Sequence, residues 1–241
     1  MPNLLSAPAV QRTLLLAIAL ILLATPLFCQ QTYVSRYDVY TGYTYLNSPK
    51  IGLAEHGFNL QAGLRPTTWY SLGFDYSVSA GDLTLTPDLL PSALQQTLGA
   101  QLGQLAAHGL LPAGYALAVK AHSNTQTFEA GPQLAWRRWS HMTLFLRPAL
   151  GAIRETATPK PADPIATMIV KGLTPTGKKQ DWTWFYGFGG GADFIFSKHV
   201  SLRVQADLVR DHLFNDILKD ARGTVRFSIG PAFNFGRNIK E

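Results

Sequence analysis

Only 15% of the 241 residues are charged, well under the roughly 25% of ordinary soluble domains, so the chain lacks the charge that a soluble protein of this size needs on its outside. The 21 Lys and Arg against 15 Asp and Glu give a formal +6 that is modest and scattered, and it offers no pointer to nucleic acid. Cys29 is the sole cysteine, which excludes a disulfide framework and a cysteine-ligated metal.

The first element in chain order is a leader. Arg12 precedes an unbroken apolar run over residues 13–24, too short to span as a helix and suited to the h-region of a secretory signal peptide. Residues 1–29 are expected to be removed on export, and Phe28 directly before Cys29 argues against a lipidation signal. Residues 30–241 then form one domain.

That domain alternates. Successive strand side chains point to opposite faces, so a period of two gives each strand one apolar and one polar face. Tyr37, Val39, Thr41, Tyr43 and Tyr45 interleave with Asp38, Tyr40, Gly42 and Thr44. Residues 56–79 alternate on both sides of Pro66-Thr67, with Phe58, Leu60, Ala62 and Leu64 before it and Tyr70, Leu72, Phe74, Tyr76 and Val78 after it. This is a hairpin whose strands have about the ten residues that a tilted strand needs to cross a hydrocarbon layer. Five further runs follow over residues 128–136, 144–151, 184–196, 201–208 and 225–235, giving about eight strands, an even number.

The connections sort by length. Joins at 65–68, 137–141 and 197–199 are short, and those at 47–55, 80–121, 154–181 and 211–223 are expected to be longer. Short turns at one end and long loops at the other are the signature of a barrel with periplasmic turns and extracellular loops. Two loops carry helix signals. Ser92 or Asp88 is placed to cap a segment in which Leu94, Leu98, Leu102 and Leu105 form one stripe, ended by Gly109 and Pro112. Asp163-Pro164 reads as an N-cap and first helical residue for a short turn through Met168, in an otherwise mobile loop. Both helices would sit outside the membrane at the barrel mouth.

Whether the apolar face meets lipid or a protein core depends on the opposite face. It carries Gly, Ser and Thr with Asp38, Asp75, Glu129, Arg147, Asp193, Arg203, Asp207 and Arg226, both signs together. Such a mixture suits the lumen of a small closed barrel, where charges survive burial by pairing. Gly187, Gly189 and Gly191 would leave room there for inward neighbours such as Tyr40 or Phe145. Tyr37, Trp69, Tyr70, Trp136, Trp139, Phe194, Phe196, Phe233 and Phe235 fall at the short-turn ends, and Tyr45, Phe58, Tyr76, Phe128 and Trp184 toward the loops. Two aromatic girdles match two membrane interfaces. The fold class is all-β: an eight-stranded antiparallel up-and-down transmembrane β-barrel with two long extracellular loops carrying short helices.

The segments Asp38-Val39-Tyr40-Thr41-Gly42-Tyr43-Thr44-Tyr45, Gly189-Gly190-Gly191-Ala192-Asp193, Ser201-Leu202-Arg203-Val204-Gln205-Ala206-Asp207 and Val225-Arg226-Phe227-Ser228-Ile229-Gly230, through Phe235-Gly236, occur in an order that resembles the OmpA/OmpX-like outer-membrane β-barrel domain proteins of Gram-negative bacteria. The resemblance covers the strands and not the two long loops, and it departs at the tail, where residues 236–241 follow Phe235. It implies the barrel fold, an outer-membrane location after export, and assembly by periplasmic chaperones and the barrel-assembly machinery. It implies no single activity. Outer-membrane lipid and lipopolysaccharide are the expected surroundings of what is expected to be a monomer.

No constellation carries strong chemistry. Residues 172–179 nearly match a phosphate-binding G-x-x-x-x-G-K-[ST] loop, but Lys179 replaces the hydroxyl and a strand follows instead of a helix. The glycines of 187–191 lie inside an aromatic strand and open no helix, so they are not a dinucleotide fingerprint. His56, His108, His122, His141, His199 and His212 lack paired ligand spacing. His122-Ser123 with Glu129 is the one local assembly a hydrolase could use, and adjacent strand residues face opposite sides. No catalytic, cofactor-binding or metal residue is therefore assigned. The expected role is non-enzymatic, structural or in surface interaction; a small-solute pore is the alternative, and a membrane lipid-modifying enzyme is the less favoured one.

Overall fold

The computed structural model describes residues 31–214, 216–218 and 222–239. The leader at 1–29 lies outside them. Eight strands follow one another in sequence and in space: β1 (Ser35–Ser48), β2 (Leu53–Leu64), β3 (Tyr70–Leu85), β4 (Val119–Trp136), β5 (Met142–Lys160), β6 (Lys179–Ile195), β7 (Val200–Asp211) and β8 (Arg222–Asn238). Each pairs antiparallel with the next, and β8 returns to β1 through pairs such as Tyr37 with Phe235 and Tyr45 with Phe227, closing the barrel. Closure leaves no strand edge with unpaired backbone groups, the condition for crossing lipid with strands. Among the described residues no helix is long and apolar enough to cross a membrane.

The alternation of residue types becomes an alternation of burial. In β5 Thr143, Phe145, Arg147 and Ala149 are buried, while Leu146 and Leu150 face out, Leu150 at 71% exposure. The outward side of the other strands is equally apolar, with Phe58, Leu60, Phe74, Phe188, Leu208 and Ile229 exposed. An exposed apolar belt that encircles a closed barrel has no protein core to satisfy it, and lipid is the solvent that does. Tyr76, Phe128, Ala152 and Trp184 are successive partners along one cross-strand row at the upper edge of the belt. The rings of Tyr76 and Phe128 lie 4.7 Å apart. Beyond this row the outward residues become Gln126, Asn124, His122 and Lys120 on β4.

The strands continue past the belt, and several connections are shorter than the sequence suggests. The loop expected over 47–55 is a tight turn: Pro49–Ile51 form one turn of 3-10 helix, and Gly52 closes it with a φ of 62°. The loops expected over 80–121 and 154–181 reduce to 86–118 and 161–178. Pairing favours extension because each added rung satisfies backbone groups that a loop would leave to water. Four neighbouring strands, β3 to β6, have 16 to 19 residues and raise one wall above the belt.

The two loop helices stand on that wall. α1 (Ser92–Ala107) begins after Pro91 with no side-chain cap, so neither Ser92 nor Asp88 caps it; Asp88 lies in a preceding 3-10 turn, Pro87–Leu89. α2 (Pro164–Leu173) is capped as expected by Asp163, whose Oδ1 accepts from Ala166 N at 2.8 Å, but it runs beyond Met168 to Leu173. A mobile loop was expected between 158 and 179; strand and helix occupy most of it. Leu98 of α1 packs with Ala166 of α2 and with Leu90, Leu117 and Val119, so the helices form a small second core on the barrel rim. Tyr115 donates to Asp163 at 3.0 Å and ties the first loop to the second.

Candidate functional site

Inward residues stack in layers from the short turns upward. In the first, Arg203 grips Asp193 with two bonds, Nε to Oδ1 at 2.7 Å and Nη2 to Oδ2 at 2.9 Å, and reaches Asp38 from Nη2 at 3.0 Å. Its guanidinium lies between the rings of Tyr40 and Phe145, 5.5 and 5.1 Å from their centroids. Arg65, from the β2–β3 turn, pairs with the other oxygen of Asp38 at 3.1 Å. Gln61 donates to Asp75 at 2.7 Å and accepts from Arg203 at 3.0 Å, joining this layer to the next.

The second layer holds two cations and three carboxylates. Arg226 reaches Asp207 at 2.8 Å, Glu129 at 3.0 Å and Asp75 at 3.3 Å. Arg147 pairs with Asp75 at 3.1 Å, with Asp207 at 3.4 Å and with Glu129. Arg203 and Arg226 are each 1% exposed. Paired charge of this kind is tolerated in a barrel lumen because every guanidinium faces carboxylates in fixed geometry.

Room for the network comes from the facing strand. A Cβ at Gly191 would lie 2.7 Å from the Phe145 ring, as the sequence suggested, and one at Gly189 would strike the Asp207 carboxylate. Tyr40 instead fills the space beside Gly42.

Above the charges comes a hydroxyl layer. Ser79 and Thr125 donate to Glu55 at 2.7 and 2.9 Å, and Ser123 donates to Glu155 at 3.0 Å. Sequence reasoning missed Glu55 and Glu155, although both continue the inward alternation of their strands. Over them lies an apolar plug that includes Leu53, Leu83, Ile153, Phe185, Leu213 and Phe214.

The eight charges assigned to the inward face are all buried there. His122 and Ser123 point apart: His122 Nδ1 contacts Asp82 at 2.8 Å on the outside, and Ser123 faces the lumen. Glu129 lies in the Arg147 and Arg226 cluster, away from both His122 and Ser123. Residues 172–179 end α2 and open β6, with Lys179 paired to Asp216. Residues 187–191 lie within β6. Among the described residues no group of three His, Cys, Asp or Glu is placed to hold a metal.

No protein-family model matches the chain, and a search of curated proteins finds no match. Solved structures do match. Neisserial surface protein A aligns with a TM-score of 0.51 at 12% identity, over 83% of this chain and 98% of that one. The outer membrane protein OprG from Pseudomonas aeruginosa aligns with a TM-score of 0.52 at 8% identity, over 86% of this chain and 99% of that one. The fold is the eight-stranded outer-membrane barrel. In such a barrel the lumen is a packed interior, and here two ionic layers, a hydroxyl layer and an apolar plug fill it above the short turns. Two places among the described residues stand out as open to other molecules: the helical head on the long loops and a polar cavity among the short turns.

Proposed function

We propose that the protein is a non-enzymatic outer-membrane barrel with a structural or surface-interaction role, its contacts made by the head of α1 and α2. The observation that carries this is the division of the molecule into a lipid-matched, filled barrel and a separate folded head at one end. Export through a cleaved leader at residues 1–29, delivery by periplasmic chaperones and the barrel-assembly machinery, and a monomer surrounded by lipid and lipopolysaccharide belong to the same reading. Long loops face outward and short turns face the periplasm.

An epitope inserted after Gly109, beyond the end of α1, tests the orientation in a Gram-negative host. Antibody should label intact cells; labelling only after the outer membrane is permeabilised would place the head on the wrong side and overturn the reading. The enzymatic alternative is checked by mass spectrometry of lipids incubated with the folded protein, where unchanged lipids are the expected result.

A further inference from the structure

We propose that the cavity among the short turns is a binding site for a small anionic solute, one that presents a carboxylate or phosphate group to Arg65, Arg137 and Ser35. The cavity has a volume of about 340 Å³, with the start of β1 and all three short turns contributing to its wall. That is room for an anionic group with a small organic body. It lies at the opposite end of the barrel from the helical head, so this site stands or falls separately from the surface role.

Two residues of its wall carry unsatisfied donors. Arg65 and Ser35 are each 3% exposed, yet Arg65 Nε and Ser35 Oγ have no hydrogen-bond partner among the described residues. Arg65 uses only its Nη atoms, on Asp38, on the Ser35 carbonyl and on Asn234. A buried donor left unmade is costly, the more so on a charged group, so an acceptor that reaches these atoms as the wall adjusts around it has a ready gain.

The charge count points the same way. Among the described residues, Arg65, Arg137 and the adjoining Arg203 share two carboxylates at this end of the lumen, Asp38 and Asp193, because the three carboxylates above engage Arg147 and Arg226. Arg203 holds Asp193 and shares Asp38 with Arg65. Arg137 bonds only neutral acceptors: Thr68 O at 2.8 Å, Thr143 Oγ1 at 3.0 Å and Gln31 Oε1 at 3.2 Å. Burial first and the neighbouring Arg65 second push its guanidinium down to about 10. Lys198 stands at the rim, over the Tyr33 ring. One anion would neutralise the surplus and would be fixed in place by planar guanidinium donors.

The test uses the full chain folded in detergent micelles, with the Nε–Hε NMR signals of the arginines followed as sodium phosphate or sodium acetate is added. The Arg65 and Arg137 signals should shift saturably with at least one of the two salts, and that salt identifies the preferred group. Arg137→Gln should weaken this binding by about tenfold or more, the loss of one charge-assisted hydrogen bond. Arg154→Gln, on the outer wall, should leave it unchanged. Ser35→Ala removes a single hydroxyl and carries the same test should Arg137→Gln fail to fold. Non-saturating drift, equal shifts from sodium chloride at matched ionic strength, or unweakened binding in both site variants would overturn the proposal.

Discussion

Arg147 and Leu146 are neighbours in the chain and occupy opposite solvents. Arg147→Leu strips a cation from Asp75, Glu129 and Asp207 while leaving those carboxylates buried, and should cost about 3 to 5 kcal/mol. Leu146→Arg drives a charge into the lipid belt and should cost about 2 to 4 kcal/mol near its midplane. Urea titration of each variant in lipid vesicles measures both; if Leu146→Arg is neutral, the belt does not face lipid. Gly191→Val belongs to the same scale. Its Cβ would strike the Val204 carbonyl oxygen first and would lie 2.7 Å from the Phe145 ring and 2.9 Å from the Gln205 backbone, so a loss of about 1 to 3 kcal/mol is expected in the same titration. These faces were legible in the sequence because a period of two assigns a side to every residue once one is known. Glu55 and Glu155 escaped because the apolar half of the pattern fades above the belt, where the outward partners are polar and only the inward phase persists. Arg65 was legible as the last polar residue of the alternation that runs through Asn59, Gln61 and Gly63; its burial was not, because that depends on the arrangement of β1 and β8 around it.

At the level of elements, strand identity and order could be read, and strand length could not. Alternating hydrophobicity marks the part of a strand that lipid touches, whereas the repetition of rungs above the membrane is held by backbone pairing that leaves little trace in residue type. The turn at Pro49–Ile51 shows the consequence: a proline and a glycine close it, and the flanking strands simply meet there. The helices, and the leucine stripe by which the first packs on the second, were legible in the sequence; the wall raised by β3 to β6 that carries them was not. This makes the head separable. Leu98→Asp puts a carboxylate into the cluster with Ala166, Leu117 and Val119 and should cost the head about 2 to 4 kcal/mol. Hydrogen exchange should quicken in α1 and α2 while amides of the belt strands keep their protection. Loss of protection throughout would mean that the head is part of the scaffold.

At the scale of the whole molecule, closure and filling predict different behaviours. Closure predicts resistance to SDS: unheated and boiled samples should migrate differently on a gel, and circular dichroism in micelles should be dominated by β structure. Filling bears on the pore alternative. A gate formed only by the loops would open when the apolar plug is cut back, so the double variant Leu213→Ala, Phe214→Ala separates a gated channel from a packed barrel. Below that plug the lumen is still crossed by Glu55 and Glu155 with their hydroxyl partners, then by Arg147 and Arg226 among three carboxylates, then by Arg203 between Tyr40 and Phe145. Ions would have to break these fixed pairs to pass, and each broken buried pair costs about 3 to 5 kcal/mol. Planar-bilayer recordings should therefore show no single-channel steps for the parent chain or for the double variant, provided both remain heat-modifiable on gels. Steady conductance that appears only in the double variant would make the plug a gate and restore the small-solute pore as the better account of the barrel.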